Sequence, residues 1–532
     1  MNFSGFHRIL VLAGLALVLF FSLRTGFKAL NFGEHWDEHN YIDIAGTADH
    51  YESLLPGWYN YPSLTYYLAR IAIYPSSSIL ASGEKVPEGE DVKIFLRGRA
   101  IFFSISLLSF FFLFLTAREA GLSPVWALFA VAVCAGSFEF SYHSRWMAPD
   151  CVIITPAIIV AWLTFRFINL GKIHLLYLAA FFAGITTGTK YPGILIHIFP
   201  MLAGLLATHT YFQNAEGEKK AGFQRIILLA VLCGMMFLGF LITTPGAIFD
   251  FSIFQSNILY EFNHYQTGHR GYEILNGADF FSKFSAYSGL FFLSGYKWIS
   301  VVLGLFLIPG IWAILRNFKK GGISLLVFLF LFIAFFSLQK VMIVRNFQIL
   351  LPFFALLSAY GFSFLFDKFQ SVIPSGFFRK SLTFSLYFLV FLLPSLGIYY
   401  NAKSANSILQ AKNQHIYFMQ LIDYVKSNQD KKFLFSNLIY ENWKFDLLEP
   451  VPANVWVNKK VIDELNSDYF IVTINYFVKD FQNYVEANHS DYCTPCFGPL
   501  DVNFNYYPDW ISPRILILNN IYARDMPIEF QN

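Results

Sequence analysis

Asp37 and Glu38, in the stretch HWDEHNY (35–41), are adjacent carboxylates just after the first long apolar run, Ile9–Leu23. A carboxylate is a common general base, able to take the proton of an attacking hydroxyl or amine. Neighbouring residues on a helix do not face the same way, so these two acids are expected to do different work. Further along, Arg145 and Asp150 stand in SRWMAPD, Lys190 in GTKYPG and Arg345 in QKVMIVRN. His264, His269 and Arg270 lie in EFNHYQTGHRG. Cations of this kind hold a phosphate while charge builds on a departing oxygen. One base and an Arg/Lys cluster would suffice to displace phosphate, a good leaving group, from a sugar carbon. Each residue also has a plainer role open to it. Asp37 suits a helix cap, Arg145 and Asp150 an ion pair at a helix start, and Lys190 or Arg345 a cation reaching for a membrane interface.

These residues are positioned by a very apolar chain. Of 532 residues, 56% are hydrophobic and 14% charged, where a soluble protein carries about 25% charged residues. Net charge is +3, which offers nothing to nucleic acid. Apolar runs of membrane-spanning character occur at 8–28, 96–116, 123–141, 150–168, 174–189, 192–210, 225–244, 296–315, 323–339, 347–366 and 381–399. About eleven transmembrane helices are therefore expected over a domain 1–400, the first being an uncleaved span. With a cytoplasmic N-terminus, alternate loops hold Arg118, Arg166, Lys172, Lys219, Lys220, Arg225, Arg316, Lys319, Lys320, Lys368, Arg379 and Lys380. The basic bias of short loops puts that side inside. Asp37, Glu38, Arg145, Asp150, Lys190, His264, His269, Arg270 and Arg345 then all fall outside, the first two in a long outer loop of about 31–95. Charges so close to apolar helix ends are costly unless paired or used.

After residue 400 the apolar runs shorten to 433–440, 468–474 and 514–522, which read as buried strands with helices near 405–428 and 475–487. Residues 401–532 are expected to form an extracytoplasmic α/β domain. There, Cys493 and Cys496 in YCTPCF are candidates for a disulfide, since that compartment lets disulfides persist. Cys134, Cys151 and Cys233 sit in or near spans and read as inert. No metal site is assigned. His264 and His269 are poorly spaced for one helical face, although a divalent metal on Glu38 stays open.

Five segments carry a resemblance. WDEHNYIDIA (36–45), YNYPSLTYYL (59–68), SRWMAPD (144–150), TTGTKYPGIL (186–195) and RNFQILLPFFALLSAYG (345–361) resemble, in order, segments of bacterial polyprenyl-phosphate-dependent glycosyltransferases. These are the relatives of protein O-mannosyltransferases and lipid A aminoarabinose transferases. Asn40 and Tyr61 stand where the aminoarabinose enzymes carry Arg and Lys. The resemblance implies a C-type glycosyltransferase fold in a bacterial inner membrane, with its active site on the periplasmic face. It implies a polyprenyl-phosphate sugar as donor, inversion at the anomeric carbon, and a glycan, lipid or protein acceptor. Asp37 becomes the general base, and Glu38 orients the acceptor, supports Asp37 or holds a metal. Arg345 and Lys190 become phosphate ligands, and Tyr41, Arg145, Asp150, His264, His269 and Arg270 substrate contacts. A transporter or lipid-carrier flippase is the alternative, with the same charges lining a translocation path. Such folds place broken helices and charges nearer mid-membrane.

Overall fold

The computed structural model describes residues 3–31, 36–51, 53–76, 90–211, 218–268, 283–285, 294–341, 343–374, 377–411 and 423–435, with strands at 455–456, 469–474, 496–497 and 514–519. The chain divides into two units. One comprises 1–30 and 36–402, the other 31–35 and 403–532.

Eight helices of the first unit are long and apolar enough to cross a membrane: Ile9–Lys28, Val92–Glu119, Pro149–Leu170, Gly222–Thr243, Lys297–Asn317, Lys319–Ser337, Val344–Val372 and Ser381–Asn406. The other three expected runs are also helical but shorter, at Pro124–Ala135, Ile173–Thr187 and Tyr191–Leu206. The run expected at 123–141 breaks at Gly136. There Ser137 starts a new helix, Phe138–His143, and its hydroxyl accepts the amide of Phe140 at 3.2 Å. The chain is thus a multi-pass helical membrane protein.

Burial separates interior helices from peripheral ones. In Pro149–Leu170 and Val344–Val372, 83% of the apolar window is covered by protein, against 22% in Ile9–Lys28 and 11% in Ser381–Asn406. The first two are the core of the bundle, and the last two present their apolar sides outward, as a lipid-facing helix does. Asp150 begins one interior helix and Arg345 begins the other. Around this core lie rings such as Phe165, Phe199, Phe328, Phe332 and Phe353, all buried.

Small residues let neighbouring helices approach closely. A Cβ on Gly184 would collide with the carbonyl of Met236, and one on Gly239 with the carbonyl of Phe181. Gly310 and Gly361 meet the carbonyls of Leu357 and Phe306 in the same reciprocal way. Without a strong hydrophobic force between helices in lipid, this backbone proximity is a main source of association.

Residues 36–51 and 53–76 form a helical layer rather than an open loop. Trp36–His50 packs on Leu64–Ile73 through Tyr41, Ile42, Ala45, Tyr66, Ala69 and Ile73. It is tied down from several directions. The amide of Tyr59 donates to Asn257 Oδ1 at 2.7 Å, and Asn60 Nδ2 to Glu261 Oε1 at 2.8 Å. The Tyr191 hydroxyl donates to the Tyr59 carbonyl at 2.6 Å.

In the second unit, β1 (Phe433–Phe435), β2 (Val455–Trp456), β3 (Tyr469–Ile474), β4 (Cys496–Phe497) and β5 (Arg514–Asn519) form one sheet in the order β2-β1-β3-β5-β4. β1 runs parallel to β2 and β3, whereas β5 is antiparallel to β3 and β4. The three apolar runs read as strands supply β1, β3 and β5. The two-residue β2 and β4 have no readable pattern of their own. The expected helix at 475–487 and the side chains of Cys493 and Cys496 lie outside the described residues.

Replacing Gly361 or Gly184 by leucine is expected to lower the thermal unfolding midpoint of detergent-solubilised protein by several degrees, as overpacking of about 1–3 kcal/mol does. An unchanged midpoint would mean that these helix contacts contribute little to stability.

Candidate active site

Asp37 and Glu38 open the helix Trp36–His50 and part at once, as their spacing requires. Glu38 is fully buried, with 0% exposure. Arg99, in the helix Glu90–Glu119, grips it with two charge-assisted bonds, Nε to Oε1 at 2.9 Å and Nη2 to Oε2 at 2.5 Å. The amide of Met147 donates to Oε1 at 2.9 Å, and Arg99 Nη1 bonds the Leu30 carbonyl at 2.7 Å. Both oxygens of Glu38 are therefore in use, which does not fit a metal ligand or a group that touches substrate. Glu38 locks the start of its helix to a membrane span and to the segment before Pro149.

Asp37 faces the other way. Its Oδ2 accepts from Arg345 Nη1 at 2.7 Å, and both side chains remain partly open to solvent, at 18% and 16%. Arg345 Nε lies 3.9 Å from Asp150 Oδ2, and its guanidinium lies over the ring of Trp146 at 5.3 Å. Asp150 Oδ1 in turn accepts from Lys190 Nζ at 2.5 Å. Lys190 also donates to Asn346 Oδ1 at 2.5 Å, and Asn346 Nδ2 reaches the Tyr265 hydroxyl at 3.1 Å. Four charged side chains drawn from four distant segments thus form one connected array, with two carboxylates facing two cations.

Local structure explains these positions. Pro149 and Asp150 occupy the first turn of an interior helix, where Pro is tolerated and an acid is favoured. Lys190 is in extended backbone between the helix that ends at Thr187 and the 3₁₀ turn that begins at Tyr191. Arg345 and Asn346 share the 3₁₀ turn Val344–Leu350, which leads into the other interior helix. Tyr265 lies on the helix Phe251–Thr267.

Arg145 and Asp150 do not pair. Arg145 is buried at 1% exposure, its Nη2 donates to Ser141 Oγ at 2.7 Å, and its Nε and Nη1 have no hydrogen-bond partner. Asp150 takes Lys190 instead, because the extended backbone at Lys190 brings its ammonium to the first turn of the helix that Asp150 begins. Of the histidine segment, Tyr265 joins the array. His264 stacks on Tyr260 with ring centroids 5.9 Å apart. His269 and Arg270 lie outside the described residues. Tyr41, one turn after Asp37, is packed at 1% exposure against Trp58, Tyr61 and Phe102. Among the described residues, no group of three or more His, Cys, Asp and Glu comes together to hold a metal. Sequence reading missed Arg99, Asn346, Tyr265 and the Trp146 ring. Only Asn346 had a signal, its place beside Arg345.

Burial pushes the Lys190 ammonium below the ordinary lysine range, with Asp150 pulling against that shift. A cation with a lowered pKa loses its charge as pH rises through that value, so anion binding at Lys190 is lost earlier than at an ordinary lysine. Phosphate binding by the wild type should therefore weaken on the alkaline side at lower pH than in Lys190→Arg, whose guanidinium stays charged. Coincident alkaline limbs in titrations of the two proteins would take Lys190 out of anion binding. Separately, Arg99→Met leaves Glu38 buried and unpaired, which costs about 3–5 kcal/mol. The double variant Glu38→Gln/Arg99→Met should recover part of that loss in thermal unfolding. A double variant no more stable than Arg99→Met would argue against the pair as the cause.

No curated protein sequence matches the chain significantly. Among solved structures, it resembles ArnT from Cupriavidus metallidurans bound to undecaprenyl phosphate, with TM-score 0.48 and 12% identity over 96% of this chain and 99% of that one. An Archaeoglobus fulgidus oligosaccharyltransferase in the apo form gives 0.46 and 14% over 90% and 71%. The Mycobacterium smegmatis arabinosyltransferase EmbB gives 0.43 and 13% over 75% and 40%. Residues 96–237 match the family described as dolichyl-phosphate-mannose-protein mannosyltransferase. That segment runs from the span carrying Arg99 past Asp150 and Lys190.

Proposed function

We propose that this membrane glycosyltransferase moves a sugar from a polyprenyl-phosphate carrier to a glycan, lipid or protein acceptor on the periplasmic face of a bacterial inner membrane. The observation that carries the reading is the array of Asp37, Arg345, Asp150 and Lys190 at the starts of the two interior helices. A lipid-phosphate sugar keeps its tail in the bilayer and its phosphate at the interface. An apolar bundle with cations at one end suits both halves of such a molecule. In this reading all eleven apolar helices span, the N-terminus is cytoplasmic, and the sheet of the second unit belongs to an α/β domain outside the membrane.

The chemistry follows from what each group can do. The acceptor oxygen or nitrogen attacks the anomeric carbon as the carbon–oxygen bond to phosphate breaks, with inversion. Asp37 takes the acceptor's proton. The electron pair leaves on the phosphate oxygen, where Arg345 and Lys190 stabilise it. Arg345 presents a fork suited to two phosphate oxygens, and Lys190 acts as a point charge. Asp150 positions Lys190, and Asn346 with Tyr265 fixes the far side of that ammonium. Helix N-termini behind Asp150 and Arg345 add partial positive charge towards the phosphate. Arg145 takes no part in this step.

Asp37→Asn removes the base with almost no change of shape. Sugar transfer from membrane polyprenyl-phosphate sugars to envelope acceptors should fall by about 100-fold or more at matched expression, in line with a general-base contribution of 10²–10⁴. Undiminished transfer would exclude Asp37 as the base. Translocation of lipid phosphate across vesicles without any transfer would favour the carrier reading instead.

A further inference from the structure

The base proposed above is already occupied: Asp37 Oδ2 holds Arg345 Nη1 at 2.7 Å. The same guanidinium is the proposed donor-phosphate ligand. A carboxylate oxygen engaged in a charge-assisted bond is a poor place to receive a proton. Both functions cannot be served by this one contact at once.

Charge and burial indicate which bond yields when an anion arrives. Lys190 and Asp150 are sealed, with side-chain exposures of 8% and 2%. Arg345 and Asp37 are the outer pair, at 16% and 18%. An incoming phosphate reaches the outer pair first, and separating partly hydrated ions costs less than separating buried ones. Asp150, 3.9 Å from Arg345 Nε, and the Trp146 ring at 5.3 Å keep the guanidinium in place after Asp37 lets go.

We propose that Arg345 is a latch shared by base and donor. The donor's phosphate takes Arg345 from Asp37, and loss of that cation raises the carboxylate's affinity for the acceptor's proton. Donor binding therefore favours acceptor deprotonation. This inference rests on the glycosyl-transfer reading, since it gives Arg345 and Asp37 the roles assigned there. It adds a competition between them, which by linkage is felt equally from both sides.

Binding of decaprenyl phosphate, the carrier lipid without its sugar, tests the competition without any transfer. Affinities are measured in nanodiscs by native mass spectrometry for the wild type, Asp37→Asn, Arg345→Gln and the double variant. Removing the competitor should tighten binding, so Asp37→Asn is expected to bind about tenfold more tightly than the wild type. Arg345→Gln should bind at least tenfold more weakly, and adding Asp37→Asn to it should change nothing. No tightening, or the same tightening without Arg345, would overturn the latch while leaving glycosyl transfer intact. The second outcome would indicate plain repulsion between carboxylate and phosphate. Absence of binding by all four proteins would overturn the latch together with the function it rests on.

Discussion

A lysine that is only 7% exposed at the edge of an apolar bundle is tolerable because a carboxylate and an amide oxygen lie 2.5 Å from its ammonium. An unpaired buried charge costs several kcal/mol, so this contact is a condition of the fold as much as a feature of the site. Asp150 starts one interior helix, Asn346 belongs to the turn that starts the other, and Lys190 comes from the chain between two further helices. Satisfying one ammonium therefore fixes where three segments of the core begin. The site is precise because its supporting bonds are ones the protein cannot fold without.

The second buried pair plays the complementary part beneath Asp37. Glu38 and Arg99 are both sealed, and their two-pronged contact ties the outer helix Trp36–His50 to the span Glu90–Glu119. The amide of Met147 adds a third tether, three residues before Asp150. Two adjacent acids thus divide the work. Glu38 holds the helix end in place, and Asp37, rotated by one residue, is delivered to the partly hydrated edge of the array. Rigid support beneath and modest exposure above are what a proton-transferring carboxylate requires.

Flexibility is rationed accordingly. The bonds with the least exposure, Glu38–Arg99 and Asp150–Lys190, belong to the scaffold. The Asp37–Arg345 bond is the more exposed one. The helices Trp36–His50 and Leu64–Ile73 and their connection are tied to the 246–267 segment by the Asn60–Glu261 bond and by the Tyr59 ring against Phe254.

Much of this was legible in the sequence because it is local. Apolar runs mark membrane helices through side chains a few residues apart, so all eleven runs are helical, although only eight are long enough to span by themselves. Asp37 and Glu38 were expected to diverge because adjacent positions on a helix point apart, and they do. Pairings were not legible. Asp150 takes Lys190, 40 residues away, rather than Arg145 nearby, Glu38 takes Arg99 across 61 residues, and Asp37 takes Arg345 across 308. The sequence by itself determined which segments are apolar and which chemical groups stand at their ends. Only the tertiary structure decided which charges meet, because a buried ion chooses the partner that helix packing brings to it, and that packing is set by the whole bundle.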